Sequence, residues 1–525
     1  MLRRASGRER MEQRSVLTRP TQPPARQPTI IARGMQYFFA EDMSSGNRFI
    51  SDLQRRACWI GLALLLQSLN EVDQGITTID RTWFAPLVVF FDALLPLALT
   101  LGSFWAMWMA LRPASLRQQV HYTRRRPALW QHAILASTLV LAIIGGVLGS
   151  ITLVQCFLPP QFGNDGTSLD TNAAILLLHG RNPYSDSSIL DVARRFGIQP
   201  TWTTPLRRGQ FAGRLNYPSP QEFQAAFTHD MASGQAPEFE SRVSYPPLAF
   251  LTLVPFVFLN HANVLPFYLL SYVLIMVIAW KVARPRLRPW VLLLGLANIP
   301  MWGSTMGGNL DIFAFLLLIL AWLLRGQRWK SALLLGLAVA SKQIAWLFLP
   351  FYLIMVWRHV GFKEMLSRLL ITGGLALAIN LPFMLWNPQA WLAGILAPVM
   401  DPMFPLGVGF ITLSITHLLP YFPNYIYALL EGVTMLGALA CYWRICRQRP
   451  EAAMLLAVIP LLFAWRSLPS YFCCAAYPLF LLTAARMRPA MRRVMVAAEQ
   501  RLPAFVGVYA HAGGEVCVGG DSPNP

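Results

Sequence analysis

The sequence predicts an all-α protein that crosses a membrane repeatedly, a bundle of about ten to thirteen transmembrane helices with a large first outer loop carrying short helices. Three observations predict it. Of the 525 residues, 55% are hydrophobic and only 13% charged, about half the charge of a soluble domain. Apolar runs of spanning length recur between residues 83 and 482, continuous as helices require rather than alternating as a β-barrel requires. The basic residues gather at the ends of these runs, at 124–126, 281–288, 325–330, 444–449 and 486–493, the pattern of cytoplasmic loops. That distribution argues against a nucleic-acid partner for the net charge of +19 and leaves membrane lipid as the expected surrounding.

At the N-terminal end, residues 1–56 hold eleven arginines and five acids, which reads as a disordered basic cytoplasmic tail without the apolar core of a signal peptide. A weak apolar run at 57–69 and a strong one at 84–111 belong to an N-terminal transmembrane addition, 57–131. The main transmembrane domain is 132–486. Its first span runs over 133–157, and the chain then emerges for 158–243, where eight acids and seven arginines nearly balance, unlike the basic loops. That balance places the loop outside. The run 245–259 is too short to cross and is expected to be re-entrant, with 264–282 crossing instead.

Further spans are expected at 289–303 and 310–324. Residues 331–357 read as a hairpin with Lys342 near its outer turn, since a basic loop comes after it. Spans near 367–385, 424–443, 451–465 and 470–485 complete the bundle, 405–423 lies outside or half-inserted, and 487–525 is a cytoplasmic tail. The seven scattered cysteines have neither metal-ligand spacing nor a disulfide framework and read as small core residues. No cluster calls for a metal or a cofactor.

Several polar residues stand out against this background. Asp165 in "GNDGTS" and Asp170 in "SLDTNAA" come shortly after a span and could stand at the membrane boundary, where a carboxylate can take a proton from an attacking hydroxyl. Asp170 could equally cap a helix over 171–179. In "HGRNPYSD", Gly180 suits the residue after a helix end and Pro183 stops the helix. Arg181 and Asn182 could contact phosphate or sugar hydroxyls, and Tyr184 could do the same or anchor at the interface. Tyr245, in Tyr-Pro-Pro, opens a helix whose N-terminus could attract an anion. Lys342 interrupts an apolar run in "AVASKQIAWLFLP", and an ionisable residue in a membrane segment is costly unless it serves. It could hold a lipid-carrier phosphate or reach ordinary headgroups. Asp311 and Arg466 invite the same reading, as a structural pair or with Arg466 as a second phosphate ligand. No P-loop, HExxH or GxSxG motif occurs, so nucleotide hydrolysis, zinc-protease and hydrolase-elbow chemistry have no home.

The order of the motifs carries a resemblance. An acid-bearing loop is succeeded by "LLLHGRNPY", "YPPLAFLTLVPFVFL", "GGNLDIFAF", "ASKQIAWLFLP" and "RSLPSYFCCAAYPLFLL". Residues 132–485 thereby resemble glycosyltransferase family 87, polytopic enzymes of the GT-C superfamily that include mannosyltransferases using polyprenyl-phosphate-mannose. The resemblance implies a GT-C-like bundle and a general-base aspartate in the first large outer loop, about fourteen residues before the glycine of the G-x-x-P-Y run. Counting back from Gly180, that offset falls on Gly166, beside Asp165 and four residues ahead of Asp170. Both aspartates therefore stay in play, with Asp170 ranked first. Asn309 takes the place of the family's glutamine, and Lys342 matches its lysine, which supports a phosphate-ligand role.

The resemblance further implies an inverting hexosyltransferase of the cell membrane with its active site on the outer face. It would move a hexose, mannose above all, from a polyprenyl-phosphate donor to a lipid or glycan acceptor. A transporter or flippase of lipid-linked saccharide is the alternative from another class, and a structural membrane subunit a third.

Overall fold

The computed structural model describes residues 47–76, 90–112, 128–160, 162–259 and 262–485. The expected tails, up to residue 46 and over 487–525, lie outside the described residues. The fold is all-α and polytopic. Its only named strands, among the described residues, are a two-residue parallel pair that sets Leu406 beside Arg466 and Gly407 beside Ser467. Among the described residues five helices are long and apolar enough to cross a membrane: Phe90–Leu111, Leu129–Gln155, Leu265–Val282, Phe362–Trp386 and Asn424–Ile445. Five shorter apolar helices accompany them among the described residues.

Helix α1 (Asn47–Ile76) begins ten residues before the apolar run at 57. Asp52 explains the extension, since it pairs with Arg55 at 2.9 Å and Arg56 at 2.7 Å, one turn further on. Arg56 is fully buried and donates to the Ala110 carbonyl, at the end of α2 (Leu95–Leu111). Trp59 packs edge-on to Trp105 with centroids 5.2 Å apart, so the two helices form a close pair. Helix α3 (Leu129–Gln155) turns Val140, Ile143, Val147 and Val154 outward, as a lipid-facing helix does.

After α3 the polar segment folds into α4 (Asp165–Leu178), α5 (Ile189–Phe196) and α6 (Pro220–Ser233). Their starts are fixed by side chains: Ser188 caps α5, and Ser219 with Glu222 forms a capping box on α6. An aromatic core joins them, with Phe211 packed against Phe223, Phe239 and Phe404. Phe404 belongs to a distant loop, so this layer is tied to the span region.

Residues 248–258 form only the short helices Leu248–Leu251 and Val254–Phe258, in keeping with a segment that does not cross. Helix α7 (Leu265–Val282) crosses next. The expected span at 289–303 breaks into α8 (Arg288–Leu296) and α9 (Ile299–Met306). Asn298 causes the break: its side chain accepts from the Met301 N–H and caps a new helix opened by Pro300.

Then come α10 (Asp311–Leu323), α11 (Arg328–Ser341) and α12 (Ile344–His359). Within the segment 331–357, expected as a hairpin, α11 and α12 are separated at Lys342, whose backbone is extended (φ −153°, ψ 143°). Helices α13 (Phe362–Trp386), α14 (Pro388–Met400), α15 (Asn424–Ile445) and α16 (Ser470–Ala485) complete the fold. Between α15 and α16 the expected span at 451–465 is a chain of short helical turns broken by Pro450 and Pro460.

Candidate active site

The site is built around the first two turns of α4. The cap of that helix is Asn164, whose Oδ1 accepts from the Thr167 N–H at 2.9 Å. Helix α4 therefore starts at Asp165, six residues before the start expected from a cap at Asp170. That alternative for Asp170 is corrected here: it lies inside the helix, in the second turn, 1% exposed. The C-terminal expectation holds. Gly180 adopts φ +70°, and the Arg181 and Gly180 N–H groups bond back to Leu176 O (2.9 Å) and Leu177 O (3.0 Å), a Schellman ending.

The two aspartates differ in how they are used. Asp165 Oδ1 accepts from the Gly166 N–H at 2.9 Å and Oδ2 from the Thr204 N–H at 3.0 Å. Thr204 sits on a strap that pairs with residues 238–240, through Leu206 N–H to Glu238 O and Glu240 N–H to Thr204 O. Asp165 thus stitches α4 to the rest of the polar layer. Neither oxygen of Asp170 has a hydrogen-bond partner, although both are buried. Burial pushes the Asp170 carboxyl well above the usual carboxylate range, the Lys342 charge opposes that, and the Asp165 charge adds to it. A buried carboxylate costs several kcal/mol unless something pairs with it, and Asp170 has no such partner among the described residues.

The turn at 307–309 locks α4 against the membrane helices. Asn164 Nδ2 donates to Gly307 O at 2.8 Å and the Thr167 hydroxyl donates to Gly308 O. Gly308 has φ +74°, and a Cβ there would lie 2.9 Å from Thr167 Cγ2. Only glycine serves at that position. The next residue, Asn309, accepts from Lys342 Nζ at 2.9 Å. Lys342 Nζ also lies 2.8 Å from Asp311 Oδ1, both residues being buried, and 4.9 Å from the centre of the Tyr245 ring. Asn309, Asp311, Lys342 and Tyr245 are thereby brought together, with Asp170 in electrostatic reach.

Tyr245 enters as an aromatic wall. Its hydroxyl edge packs against Gly166, where a Cβ would stand 2.9 Å from Cε2. The four-residue helix after it, Leu248–Leu251, is too short to present an anion site of its own. Tyr184 donates to Tyr245 O at 2.7 Å and packs its ring on Phe250 and Phe383. Arg181 and Asn182 are engaged elsewhere: Arg181 is exposed and pairs with Asp186 at 3.2 Å, and Asn182 accepts from the Tyr184 N–H at 2.9 Å in an Asx turn.

Arg466 closes the cluster from the β-pair before α16. It is half-buried, one N–H touches Met403 Sδ, and its Nε is buried without a partner. Its charge reaches Asp165, Tyr217 and Tyr471. Among the described residues no three His, Cys, Asp or Glu side chains gather where a metal ion could be held. What converges is one uncommitted carboxylate, one fixed cation and one cation with a donor to spare.

The model of glycosyltransferase family 87 matches residues 244–469, which hold Tyr245, Asn309, Asp311, Lys342 and Arg466. Over that segment, less than half of the chain, the protein is similar to glycosyltransferase family 87. The match supports a membrane glycosyltransferase. No curated protein and no solved structure matches it. The aspartates of α4 lie ahead of the matched residues, and it is the 307–309 turn that carries the family 87 segment to them. Two participants escaped the sequence reading: Asn164 and Thr204. Asn164 had a signal, an Asn three residues before Thr167 at a helix start. Thr204 acts through its backbone N–H and had none.

Proposed function

We propose that this protein is a family 87 enzyme that transfers a hexose, mannose above all, from a polyprenyl-phosphate donor to a hydroxyl of a lipid or glycan acceptor at the outer face of the cell membrane, inverting the anomeric centre. Asp170 is the general base on this reading. The observation that carries it is the contrast between two neighbouring carboxylates, one saturated by backbone N–H groups and one buried with both oxygens free.

The acceptor oxygen attacks the anomeric carbon from the face opposite the phosphate, and its proton passes to Asp170. The bond between that carbon and the phosphate oxygen breaks, its electron pair going to the phosphate, so the products are a glycoside and polyprenyl phosphate. Positive charge develops on the sugar ring at the transition state, and negative charge on the leaving phosphate. Arg466, with its buried unpartnered Nε, answers the latter. Lys342, already held by Asp311 and Asn309, acts as a fixed charge that favours ionised Asp170. The roles of the two cations are thus shared differently from a lysine-first reading. The segment 57–131 is an addition to this catalytic region, packed on it through α1 and α2.

The test is transfer of labelled hexose from a short-chain polyprenyl-phosphate donor by the purified protein in lipid nanodiscs. The wild type is expected to transfer, and Asp170→Asn to bind donor without transferring. Movement of intact donor across the bilayer without any transfer would instead establish the transporter reading.

A further inference from the structure

Tyr268 lies in the fourth position of the spanning helix α7 and is completely buried. It belongs to the same buried cluster as Leu169 and Ala174 of α4, one residue before Asp170 and one turn after it. Its hydroxyl is buried without any hydrogen-bond partner, and it stands in electrostatic reach of Asp170 and Tyr245. A phenylalanine ring has nearly the same volume, and a buried hydroxyl left unpaired is destabilising. The other tyrosines around Asp170 are used differently: Tyr184 donates to Tyr245 O, and Tyr245 faces Lys342 with its ring.

The structure therefore holds two buried, unsatisfied groups of opposite kind within electrostatic reach of each other, a hydroxyl donor and a carboxylate acceptor. The geometry points to Tyr268 as a positioning residue of the transfer reaction, its hydroxyl donating to Asp170 when substrate fills the site and fixing which carboxylate oxygen faces the acceptor. This rests on Asp170 being the base. A donor to the ionised carboxylate favours that form, so Tyr268 also widens the pH range in which the base is active. The titratable and charged groups facing Asp170 are Lys342, Asp165, Tyr184, Tyr245 and Tyr268 itself.

The experiment compares wild type, Tyr268→Phe and Asp170→Asn in one nanodisc transfer assay across pH, with thermal unfolding of each. Phe keeps the ring and its packing. Tyr268→Phe is expected to lower kcat about tenfold, the equivalent of one hydrogen bond to a charged group, to move the acid limb of the profile to higher pH, and to leave the donor KM unchanged. A wild-type profile in Tyr268→Phe beside an inactive Asp170→Asn overturns the inference while leaving the base in place. A drop in kcat with the acid limb unmoved, or a lowered unfolding temperature as the sole change, marks a packing role and also overturns it. If Asp170→Asn itself transfers sugar, the base assignment fails and Tyr268 loses its part with it.

Discussion

Lys342 Nζ stands 2.8 Å from Asp311 Oδ1 in a setting where both side chains are buried. The two residues come from the turn between α11 and α12 and from the first position of α10, so the pair joins separate helices at the depth of the site. Removing one partner strands the other charge, a loss of about 3–5 kcal/mol. Asp311→Asn and Lys342→Met are each expected to lower the unfolding temperature clearly. The double variant Asp311→Leu/Lys342→Met should recover much of the loss without recovering activity. Additive losses in the double variant would show that the two charges do not depend on each other.

The division of labour between the aspartates gives a kinetic contrast. Asp170→Asn removes the base and should cost about 10²–10⁴ in kcat with little change in unfolding temperature, since no hydrogen bond is lost. Asp165→Ala removes two acceptors of backbone N–H groups. Stability should fall by about 1–3 kcal/mol, with a smaller effect on kcat. Steady-state kinetics alongside thermal unfolding would reveal a swapped pattern, and that would make Asp165 the base.

The pH dependence comes from the Asp170 environment. Its carboxyl is raised well above the usual range by burial and held down by Lys342. The base works ionised, so activity should rise with pH along an acid limb above that of an ordinary aspartate and fall away below it. Lys342→Met removes the opposing charge and should move the limb further up. A limb that stays in place would mean that Lys342 acts elsewhere.

Much of this was legible in the sequence, and the parts that were hidden have physical causes. Hydropathy and basic clusters gave the spans around 264–282, 367–385 and 424–443, because a bilayer imposes length and continuity. The helix break at Lys342 was legible because a charge cannot sit mid-span cheaply. The start of α4 was not: Asp170 is as good a cap by residue type as Asn164, and the choice falls to Asn164 through its bond to Gly307, 143 residues away. The use of Asp165 was equally hidden, since its partner is a backbone N–H of Thr204 on a strap formed by tertiary pairing. Spacing alone kept the two aspartates level. Arg181 and Asn182 looked available in the sequence and are spent on a surface pair and a turn.

The clamp between α4 and the 307–309 turn can be tested directly. Asn164→Ala removes the helix cap, worth about 1 kcal/mol, and the bond to Gly307 O. Asp170 would then lose its register against Lys342, so kcat should fall while the donor KM, set by Arg466, holds. Asn164→Asp restores the cap and not the amide donor. It should recover stability more than activity, and equal recovery of both would reduce the clamp to a cap.

The polar layer carries a second pH effect, distinct from catalysis and opposite in sense. Asp230 and Glu238 are buried together, as are Glu240 and Asp401, with Arg208 and Arg242 paired to Asp401 at 2.8 and 3.1 Å. Burial first, and then the facing carboxylate, push Asp230 and Glu240 up to about 7. An unfolded aspartate or glutamate releases its proton near pH 4, so between about pH 4 and 7 the folded layer binds more protons than the unfolded chain. Stability of this layer is therefore highest at the acid end and declines as pH rises toward 7, levelling off above it. Hydrogen exchange over residues 220–243 should show protection falling across that window. Glu238→Gln keeps an acceptor for the Gln210 N–H that Glu238 now binds at 2.7 Å, and it offers Asp230 an amide donor in place of a second carboxyl. The decline should flatten in that variant. An unchanged slope would mean that the Asp230 pair does not hold the proton.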